Sequence, residues 1–300
     1  MHQGQIEYDL TRVECAVGEQ FPHLRGKTIT RLVTPGTTNA IFRVGCNVAA
    51  RFPLRPDDPE RHAATLHDEA LAMREFGLHC RVETPQPLGI GTPGPGIPLA
   101  WSLQTWIEGA VVTPDSHANS ETFAADLGTL VRALRAADLR GRQFAGTGRG
   151  GHLPDHDRWM AECFEKSAGL LDVDRLRQMW RRFRALPGPT RFTMSHKDLI
   201  PPNLLADGDH LAGVLDIGGF GPADAALDLV VAWHTLNERC RSLFRGIVND
   251  DPIEWKRGAA WAFQQAMGLA WYYRETNPAM SALGRSTLAR LLADPEVGGV

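Results

Sequence analysis

The sequence lacks the features that mark several classes of protein. No apolar run approaches the roughly 18 residues that a membrane-spanning helix needs, and the first residues lack the basic and then apolar pattern of a secretion signal. The five cysteines include no C-x-x-C pair, which argues against a zinc site and a disulfide framework. These absences predict a cytoplasmic protein with reduced thiols and no membrane partner.

An excess of charge of either sign is also missing. The formal net charge is -3 at pH 7, so the chain lacks the basic footprint of a nucleic-acid-binding protein, and nucleic acid is not an expected partner. The mildly acidic balance suits a cationic or a neutral small substrate and does not choose between them. With 300 residues and 43% hydrophobic content, the chain can bury a substantial core.

The most informative segment is a polar loop that is followed, after a short apolar stretch, by a second acidic motif. Residues 196–203 read H-K-D-L-I-P-P-N, and D-I-G begins at Asp216. Phosphoryl transfer needs a carboxylate near the acceptor hydroxyl and oxygen ligands for magnesium on the nucleotide phosphates. Asp198, Asn203 and Asp216 supply this set. The pattern resembles the catalytic and metal loops of protein kinases, with isoleucine in place of the phenylalanine of D-F-G.

The residues between the two motifs predict a β-hairpin. Residues 204–206 and 211–215 are short apolar runs, and the turn residues Asp-Gly-Asp lie between them. Such a hairpin would bring Asn203 and Asp216 together at one end. Aspartate and asparagine are also ordinary turn and helix-cap residues, so the catalytic interpretation rests on the combination.

The chain as a whole predicts an α+β fold with a sheet-rich first part and a larger, mainly helical second part. Expected strands lie at 29–33, 40–44, 48–52 and 99–105, with one helix at 59–77. The Gly/Pro-rich run 89–98 predicts loops and turns. Further helices are expected over residues 120–138, 155–186, 225–245 and 253–275. The connector at 106–109 predicts domains 1–106 and 107–300.

Candidate phosphate-binding residues lie in the first domain. In a kinase-like small lobe, a cation on the third strand contacts the nucleotide phosphates and is held by a carboxylate on the following helix. Arg51 and Glu69 are the candidates, with an exposed strand arginine and a solvated glutamate as the alternative. Arg51 replaces the usual lysine of protein kinases, and its forked donors suit phosphate oxygens. The turn at Gly36, Thr38 and Asn39 would cover the phosphates, or it is a simple hairpin turn.

The connector between the domains is the candidate adenine site. Adenine would bond to the backbone of Thr105, Trp106 and Ile107, with the indole of Trp106 beside the ring. A buried tryptophan between the domains, with only a packing role, is the alternative interpretation of Trp106.

Together these features resemble the aminoglycoside phosphotransferase family, the small-molecule kinases that also include choline and homoserine kinase-like members. The resemblance runs from about residue 29 to 294 and is most specific in the catalytic segment. It also covers residues 101–109, 148–151, 221–229 and 272–278. It implies a protein-kinase-like fold of two lobes, with a small antiparallel sheet in the N-lobe and a helical C-lobe. The implied reaction moves the γ-phosphate of ATP or GTP to a small-molecule hydroxyl, with aminoglycosides and other antibiotics among the candidate acceptors.

The resemblance also implies roles for single residues. Asp198 would orient the acceptor hydroxyl or accept its proton, while Asn203 and Asp216 would bind Mg2+ on the nucleotide. His196 would support the loop, although a hydrogen-bonded core histidine would look the same in the sequence.

Two more acidic residues, Asp224 and Asp228, are expected to hold the active-site loops through backbone or basic partners, with contact to the substrate as the alternative. The acceptor is expected between the catalytic loop and the helices after Asp228. The candidate acceptor contacts are Trp233, Asn237, Glu238 and Trp271. Carboxylates would suit ammonium groups, and aromatic rings would suit a macrolide or a quaternary amine. Trp255, Trp261 and Trp271 also have the spacing of helix core packing, which is the alternative to a substrate contact.

The loop departs from the family's common H-G-D-x-x-x-x-N. Lys197 stands where glycine is usual, and Ile200 and Pro202 are also unusual. Together with Arg51, Lys197 motivates a second hypothesis, a catalytically weak kinase-like protein that binds nucleotide or ligand and has a regulatory role. The sequence leaves open the choice of ATP or GTP, the acceptor and the oligomeric state.

Overall fold

The computed structural model describes residues 5–32, 38–144, 146, 148–248 and 251–298. The chain packs as two compact units. Unit 1 comprises Met1–Leu78, Glu83–Glu108 and Asp216–Gly218, and unit 2 comprises His79–Val82, Gly109–Leu215 and Gly219–Val300. The main division therefore falls after residue 108, close to the expected boundary after residue 106. The D-I-G motif packs with unit 1, although it lies within the sequence of unit 2.

Unit 1 is built on a five-stranded antiparallel sheet. Its strands are β1 Ile29–Arg31, β2 Asn39–Val44, β3 Val48–Pro53, β4 Pro87–Gly91 and β5 Trp101–Thr105, in the order β1-β2-β3-β5-β4. Its helices are α1 Leu10–Gln20 and α2 Pro59–His79. Alternate residues of β2 are buried, as expected of a strand with one face on the core. The ring of Phe52 stacks on Trp101 with centroids 4.7 Å apart, which fixes β3 against β5.

Unit 1 differs from the prediction at one edge of the sheet. Residues 89–98 were expected to form loops, whereas β4 occupies Pro87–Gly91. A proline at the first residue of an edge strand removes no ladder hydrogen bond that the strand needs. The Gly/Pro composition was therefore misleading at this position.

Unit 2 is mainly helical. Its helices are α3 Glu121–Arg135, α4 Asp157–Lys166, α5 Val173–Arg184, α6 Val230–Thr235, α7 Glu238–Val248, α8 Pro252–Tyr272 and α9 Pro278–Ala293. Its strands are β6 Ala110–Val111, β7 Phe192–Ser195, β8 Leu204–Asp207, β9 His210–Val214 and β10 Gly221–Asp224. They form the sheets β6-β8-β9 and β7-β10. Helix α8 is buried on nearly all sides from Trp255 to Ala270, as a central core helix should be.

Two of the predicted helices are each divided in the structure. The segment 155–186 forms α4 and α5, and Gly169 adopts a φ of 76° between them. The segment 225–245 forms α6 and α7, and Asn237 accepts a hydrogen bond from the N–H of Cys240 at the start of α7, the usual action of an asparagine helix cap. Among the described residues, no helix combines the length and apolar character needed to cross a membrane.

Candidate active site

The polar loop of residues 196–203 connects β7 to the β8–β9 hairpin. The hairpin is confirmed, with Leu204 opposite Val214. The N–H of Leu215 donates to the carbonyl of Asn203 at 2.8 Å, and Asp216 is the next residue along the chain.

A buried carboxylate fixes the start of this loop. Asp228 accepts hydrogen bonds from the Ser195 hydroxyl at 2.8 Å, from the His196 N–H at 2.9 Å and from the Lys197 N–H at 3.2 Å. The ring of His196 bridges the loop, because Nδ1 accepts from the N–H of Asp198 and Nε2 donates to the carbonyl of Leu215. Both side chains thus contact the loop backbone.

Asp198 is partly exposed and has three side-chain neighbours. Its Oδ1 accepts hydrogen bonds from Arg149 at 2.9 Å and from Gln265 Nε2 at 2.7 Å. Its Oδ2 has only a longer contact of 3.3 Å, from Asn203 Nδ2. A guanidinium and an amide therefore fix Oδ1 of the carboxylate, while Oδ2 can still accept a further hydrogen bond.

Asn203 is oriented so that its amide oxygen remains available. Its Nδ2 donates to the carbonyl of Asp198 at 2.9 Å and to the Asp198 carboxylate. Because both N–H groups of the amide point toward Asp198, Oδ1 points away from it. An amide oxygen of this kind is a suitable ligand for a hard cation such as Mg2+.

Arg149 and Gln265 are two contacts of Asp198 to which sequence reasoning gave no role. Arg149 lies in the glycine-rich segment 148–151, which follows α3. Gly150 has a φ of 101°, and a Cβ at this position would lie 2.7 Å from the Cβ of Ala223. Glycine thus lets the segment pack against β10, where the carbonyl of Gly150 accepts from the N–H of Asp224.

Asp224 holds a second buried polar cluster. Its carboxylate accepts from Arg257, from the indole N–H of Trp261 at 2.7 Å and from the N–H of Ala226 at 3.1 Å. Asp224 is therefore a link between β10 and α8.

Unit 1 brings Arg51 together with Asp216. The guanidinium donates to Asp216 Oδ1 at 3.2 Å, whereas the sequence predicted that Arg51 pairs with Glu69. Burial raises the pKa of Glu69, and the nearby Arg51 opposes this shift. Arg51 lies close enough to act on the charge of Glu69, but its hydrogen bond goes to the candidate metal ligand.

Most of the predicted adenine contacts are already used within unit 1. The N–H of Thr105 donates to Gln86, and the N–H of Trp106 donates to the carbonyl of Asn47 at 2.8 Å. Within the described residues, the N–H of Ile107 has no backbone partner. Of the three N–H groups, those of Thr105 and Trp106 are thus engaged within the protein, and the adenine contacts predicted for this connector stay predictions.

The remaining nucleotide candidates lie near the start of β2. The carbonyl of Thr38 accepts from the N–H of Leu54 at 2.8 Å, and Asn39 pairs with Pro53 in the sheet. Gly36 lies outside the described residues. The phosphate contacts predicted for this turn stay predictions.

The four candidate acceptor contacts have different surroundings. Trp233 is fully buried, with its ring 4.4 Å from that of Trp255, so its predicted substrate contact is wrong and it is a core residue. Asn237 caps α7, and Glu238 is exposed in the first turn of that helix. Trp271 is half-buried, with its ring 5.9 Å from Trp159.

Trp159 lies directly over α8. A Cβ at Gly268 would be 2.8 Å from the Trp159 ring, so a larger residue there would displace the indole. Gly268 follows Gln265 by nearly one helical turn, about 4.5 Å along the axis. An aromatic surface therefore begins about one turn from the residue that contacts Asp198.

Comparison with known proteins gives both a family and a fold. The sequence model of a family described as "Phosphotransferase enzyme family" matches residues 30–261. Among curated proteins, no match to this chain was found.

Solved structures with a similar fold include three phosphotransferases. The GDP complex of aminoglycoside 2'-phosphotransferase-IIIa is 18% identical, covers 94% of this chain and 98% of that chain, and has a TM-score of 0.70. Macrolide 2'-phosphotransferase MphH from Brachybacterium faecium is 16% identical, with coverages of 93% and 98% and a TM-score of 0.64. The ternary complex of APH(2")-IIa with streptomycin and ATP is 14% identical, with coverages of 95% and 97% and a TM-score of 0.59. At these identities the comparisons establish the fold.

Proposed function

The chain belongs to the phosphotransferase enzyme family, and we propose that it transfers the γ-phosphate of ATP or GTP to a hydroxyl group of a small molecule. Family membership agrees with the resemblance seen in the sequence, and the kinase-like α+β fold is confirmed by the solved structures. The catalytic residues and the acceptor are parts of the proposal.

The observation that carries the proposal is the geometry of Asp198. Its Oδ1 is held by Arg149 and Gln265, and its Oδ2 has only the long contact with Asn203. A carboxylate fixed in this way can receive a hydroxyl group on its less occupied oxygen. Orientation of the reacting groups is a large part of catalysis of phosphoryl transfer.

In the proposed step, Asp198 accepts the proton of the acceptor hydroxyl. The acceptor oxygen forms its bond to the γ-phosphorus while the bond from this phosphorus to the bridging oxygen of the nucleotide breaks. The products are the phosphorylated acceptor and ADP or GDP. Arg149 adds a permanent positive charge beside the carboxylate, and Asp228 keeps the loop backbone in place.

Asn203 and Asp216 carry the kinds of oxygen atom that a magnesium site needs. Asn203 offers its Oδ1, and Asp216 offers a carboxylate whose Oδ1 accepts from Arg51. Oxygen ligands of these types are those that Mg2+ prefers. Bound magnesium would neutralise phosphate charge and orient the nucleotide.

The acceptor is proposed to have a substantial apolar face and few positive charges. Buried carboxylates of unit 2 are held by arginines: Asp224 by Arg257, and Glu254 by Arg135. They are not available for the ammonium groups of an aminoglycoside. The pair of Trp159 and Trp271, by contrast, provides aromatic surface near Gln265. Macrolides are therefore the first acceptors to test, and aminoglycosides the second.

The test is a screen for phosphorylated product by mass spectrometry. Wild-type protein is incubated with Mg2+, with ATP or GTP, and with macrolides, aminoglycosides, amino alcohols and sugars. The proposal expects a product whose formation requires Mg2+ and is lost in Asp198→Asn. The same product yield from wild type and Asp198→Asn would contradict the proposal.

A second candidate function is supported by the ion pairs at both carboxylates. Arg149 engages Asp198, and Arg51 engages Asp216. A kinase-like protein that binds nucleotide and regulates a partner could keep its carboxylates paired in this way. Nucleotide binding by wild type, with no product from any acceptor and no nucleotide consumption, would favour this second function.

A further inference from the structure

A chain of buried polar side chains runs from Asp198 into the helical core of unit 2. Gln265 on α8 donates to Asp198 Oδ1 and, through its Oε1, contacts His234 Nε2 at 3.0 Å. His234 on α6 contacts the hydroxyl of Thr287 on α9 through Nδ1, at 2.8 Å. The residues are far apart in sequence, and they join three helices to one carboxylate oxygen.

The chemistry of the groups fixes the direction of each hydrogen bond. A carboxylate only accepts, so the amide of Gln265 must present its Nε2 to Asp198 and its Oε1 to His234. Because an amide oxygen also only accepts, the proton of His234 must be on Nε2. The single proton of the Thr287 hydroxyl has two acceptors within reach, the Leu283 carbonyl at 2.9 Å and His234 Nδ1 at 2.8 Å, and Nδ1 of a neutral ring with its proton on Nε2 must be the one that accepts.

The environment of His234 keeps this arrangement intact. The side chain is fully buried, and burial lowers the pKa of His234 to about 4. Asp198 opposes this shift, while the positive charges of Arg149 and Arg290 add to it. The ring is therefore neutral near pH 7 and carries a single proton, which is the state that the hydrogen-bond directions require.

We propose that Gln265 and His234 are positioning residues that fix Asp198 so that Oδ2 is the oxygen that receives the acceptor hydroxyl. The proposal rests on the proposed phosphotransferase function. His234 prevents the amide of Gln265 from rotating, since a rotated amide would direct its N–H groups at the Nε2–H of His234, which needs an acceptor. Arg149 approaches the same Oδ1, so both supports act on one oxygen and leave Oδ2 free to act on the substrate.

The kinetic test compares matched variants with MgATP or MgGTP and an acceptor found in the screen. Gln265→Leu removes the amide, and Gln264→Leu is its control, because Gln264 is also buried on α8 but contacts His156. The expected result for Gln265→Leu is a kcat lower by about 10- to 100-fold, the size of loss that small misplacement of a reacting group causes. The nucleotide KM should stay unchanged, and Gln264→Leu should keep the wild-type kcat.

A second pair of variants tests His234. The amide nitrogen of His234→Gln can replace Nε2 as a donor to Gln265, whereas His234→Leu cannot donate. The glutamine variant should keep most of the activity, and the leucine variant should match Gln265→Leu. Equal kcat values in wild type, Gln265→Leu and His234→Leu would overturn the proposal.

A nuclear magnetic resonance experiment separates this inference from the proposed function. Histidine labelled with the heavy nitrogen isotope reports the protonated ring nitrogen, and His234→Gln identifies the signal among the 11 histidines. The expected signal is a neutral ring with its proton on Nε2, shifted by Gln265→Leu and by Asp198→Asn but not by Gln264→Leu. A proton on Nδ1, or no response to Gln265→Leu, would overturn the proposed hydrogen-bond chain from Asp198 to His234 even if wild type phosphorylates an acceptor. If wild type phosphorylates nothing, the proposed function fails, and this spectrum alone decides whether the hydrogen bonds between Asp198, Gln265 and His234 are present.

Discussion

Lys197 and Asp216 both adopt left-handed backbone conformations, with φ values of 70° and 55°. Residues other than glycine rarely adopt this region, and they occur there mainly where surrounding structure enforces it, often at functional sites. At Lys197 the enforcing contact is Asp228, which accepts from the N–H groups of His196 and Lys197. The glycine that is usual at this position of the family's loop is thus explained by backbone geometry.

Replacement of Lys197 should reveal the strain at this position. The side chain is half-buried, and burial lowers the pKa of its amine. Lys197→Ala and Lys197→Gly both remove the amine, but only glycine removes the Cβ. We expect Lys197→Gly to be more stable than Lys197→Ala by about 1–2 kcal/mol, measured as the free energy of unfolding in urea. Equal stability, or a more stable alanine variant, would show that the loop is unstrained.

The buried His234 should make the stability of the protein depend on pH. The unfolded chain binds a proton near the ordinary pKa of 6.5, whereas the folded ring stays neutral down to about 4. Folding is therefore favoured above pH 6.5, and this contribution is lost as the pH falls toward 4. The loss should reach on the order of 3 kcal/mol.

The matched measurement compares the unfolding free energies of wild type and His234→Gln from pH 7 to pH 4. Other acid-sensitive groups, including His156, are common to both proteins and cancel in the difference. Wild type should lose more stability than the variant across this window. Parallel curves would contradict a neutral buried His234.

At the scale of elements, the segment 148–151 connects strand β10 to the candidate catalytic carboxylate. The carbonyl of Gly150 accepts a hydrogen bond from the N–H of Asp224 in β10. The neighbouring residue, Arg149, donates a hydrogen bond to the carboxylate of Asp198. A displacement of this segment should therefore be transmitted to Asp198.

Gly150→Ala tests this connection, and Gly169→Ala is the control. Both positions have positive φ, but a Cβ at Gly169 would have open space, whereas a Cβ at Gly150 would lie 2.7 Å from Ala223. Both variants should lose about 1–2 kcal/mol from backbone strain. Only Gly150→Ala should also lower kcat, because Arg149 moves away from Asp198. Equal kcat values in the two variants would show that the segment has no influence on catalysis.

Sequence patterns could predict those features that are set by residues close together in the sequence. The hairpin between residues 204 and 214 was predicted because apolar runs flank a turn, and the candidate catalytic carboxylate because the polar loop has a fixed spacing. Gln265 could not be found in this way, because it contacts Asp198 across 67 positions of sequence and nothing distinguishes it locally from Gln264. The hydrogen bond from Arg51 to Asp216 was not predicted for the same reason, since it spans 165 positions.

At the scale of the whole molecule, the stability of the folded chain should respond to a bound nucleotide. A nucleotide that binds the folded chain stabilises it by mass action, by about 2.7 kcal/mol at a concentration 100 times the Kd.

We therefore expect ATP or GTP with Mg2+ to raise the melting temperature. Part of this rise should depend on Mg2+, as the difference between nucleotide with and without the metal. That difference should be lost in Asp216→Asn, because the substitution removes a carboxylate ligand of the metal. Asp209→Asn, the same substitution in the β8–β9 turn, should retain the full rise. A Mg2+-dependent rise that persists in Asp216→Asn would show that Asp216 is not a metal ligand.

The most direct test of the proposed phosphotransferase activity compares Asp198→Asn with Asp207→Asn. The two substitutions are chemically identical, but Asp207 is exposed in β8 and lies outside the polar loop. Turnover of MgATP or MgGTP with an acceptor from the screen is measured together with the nucleotide Kd. Asp198→Asn should lower kcat by about 10²–10⁴-fold, the usual contribution of a general base, with an unchanged nucleotide Kd, while Asp207→Asn should behave as wild type. A wild-type kcat in Asp198→Asn would contradict the proposed role of this carboxylate.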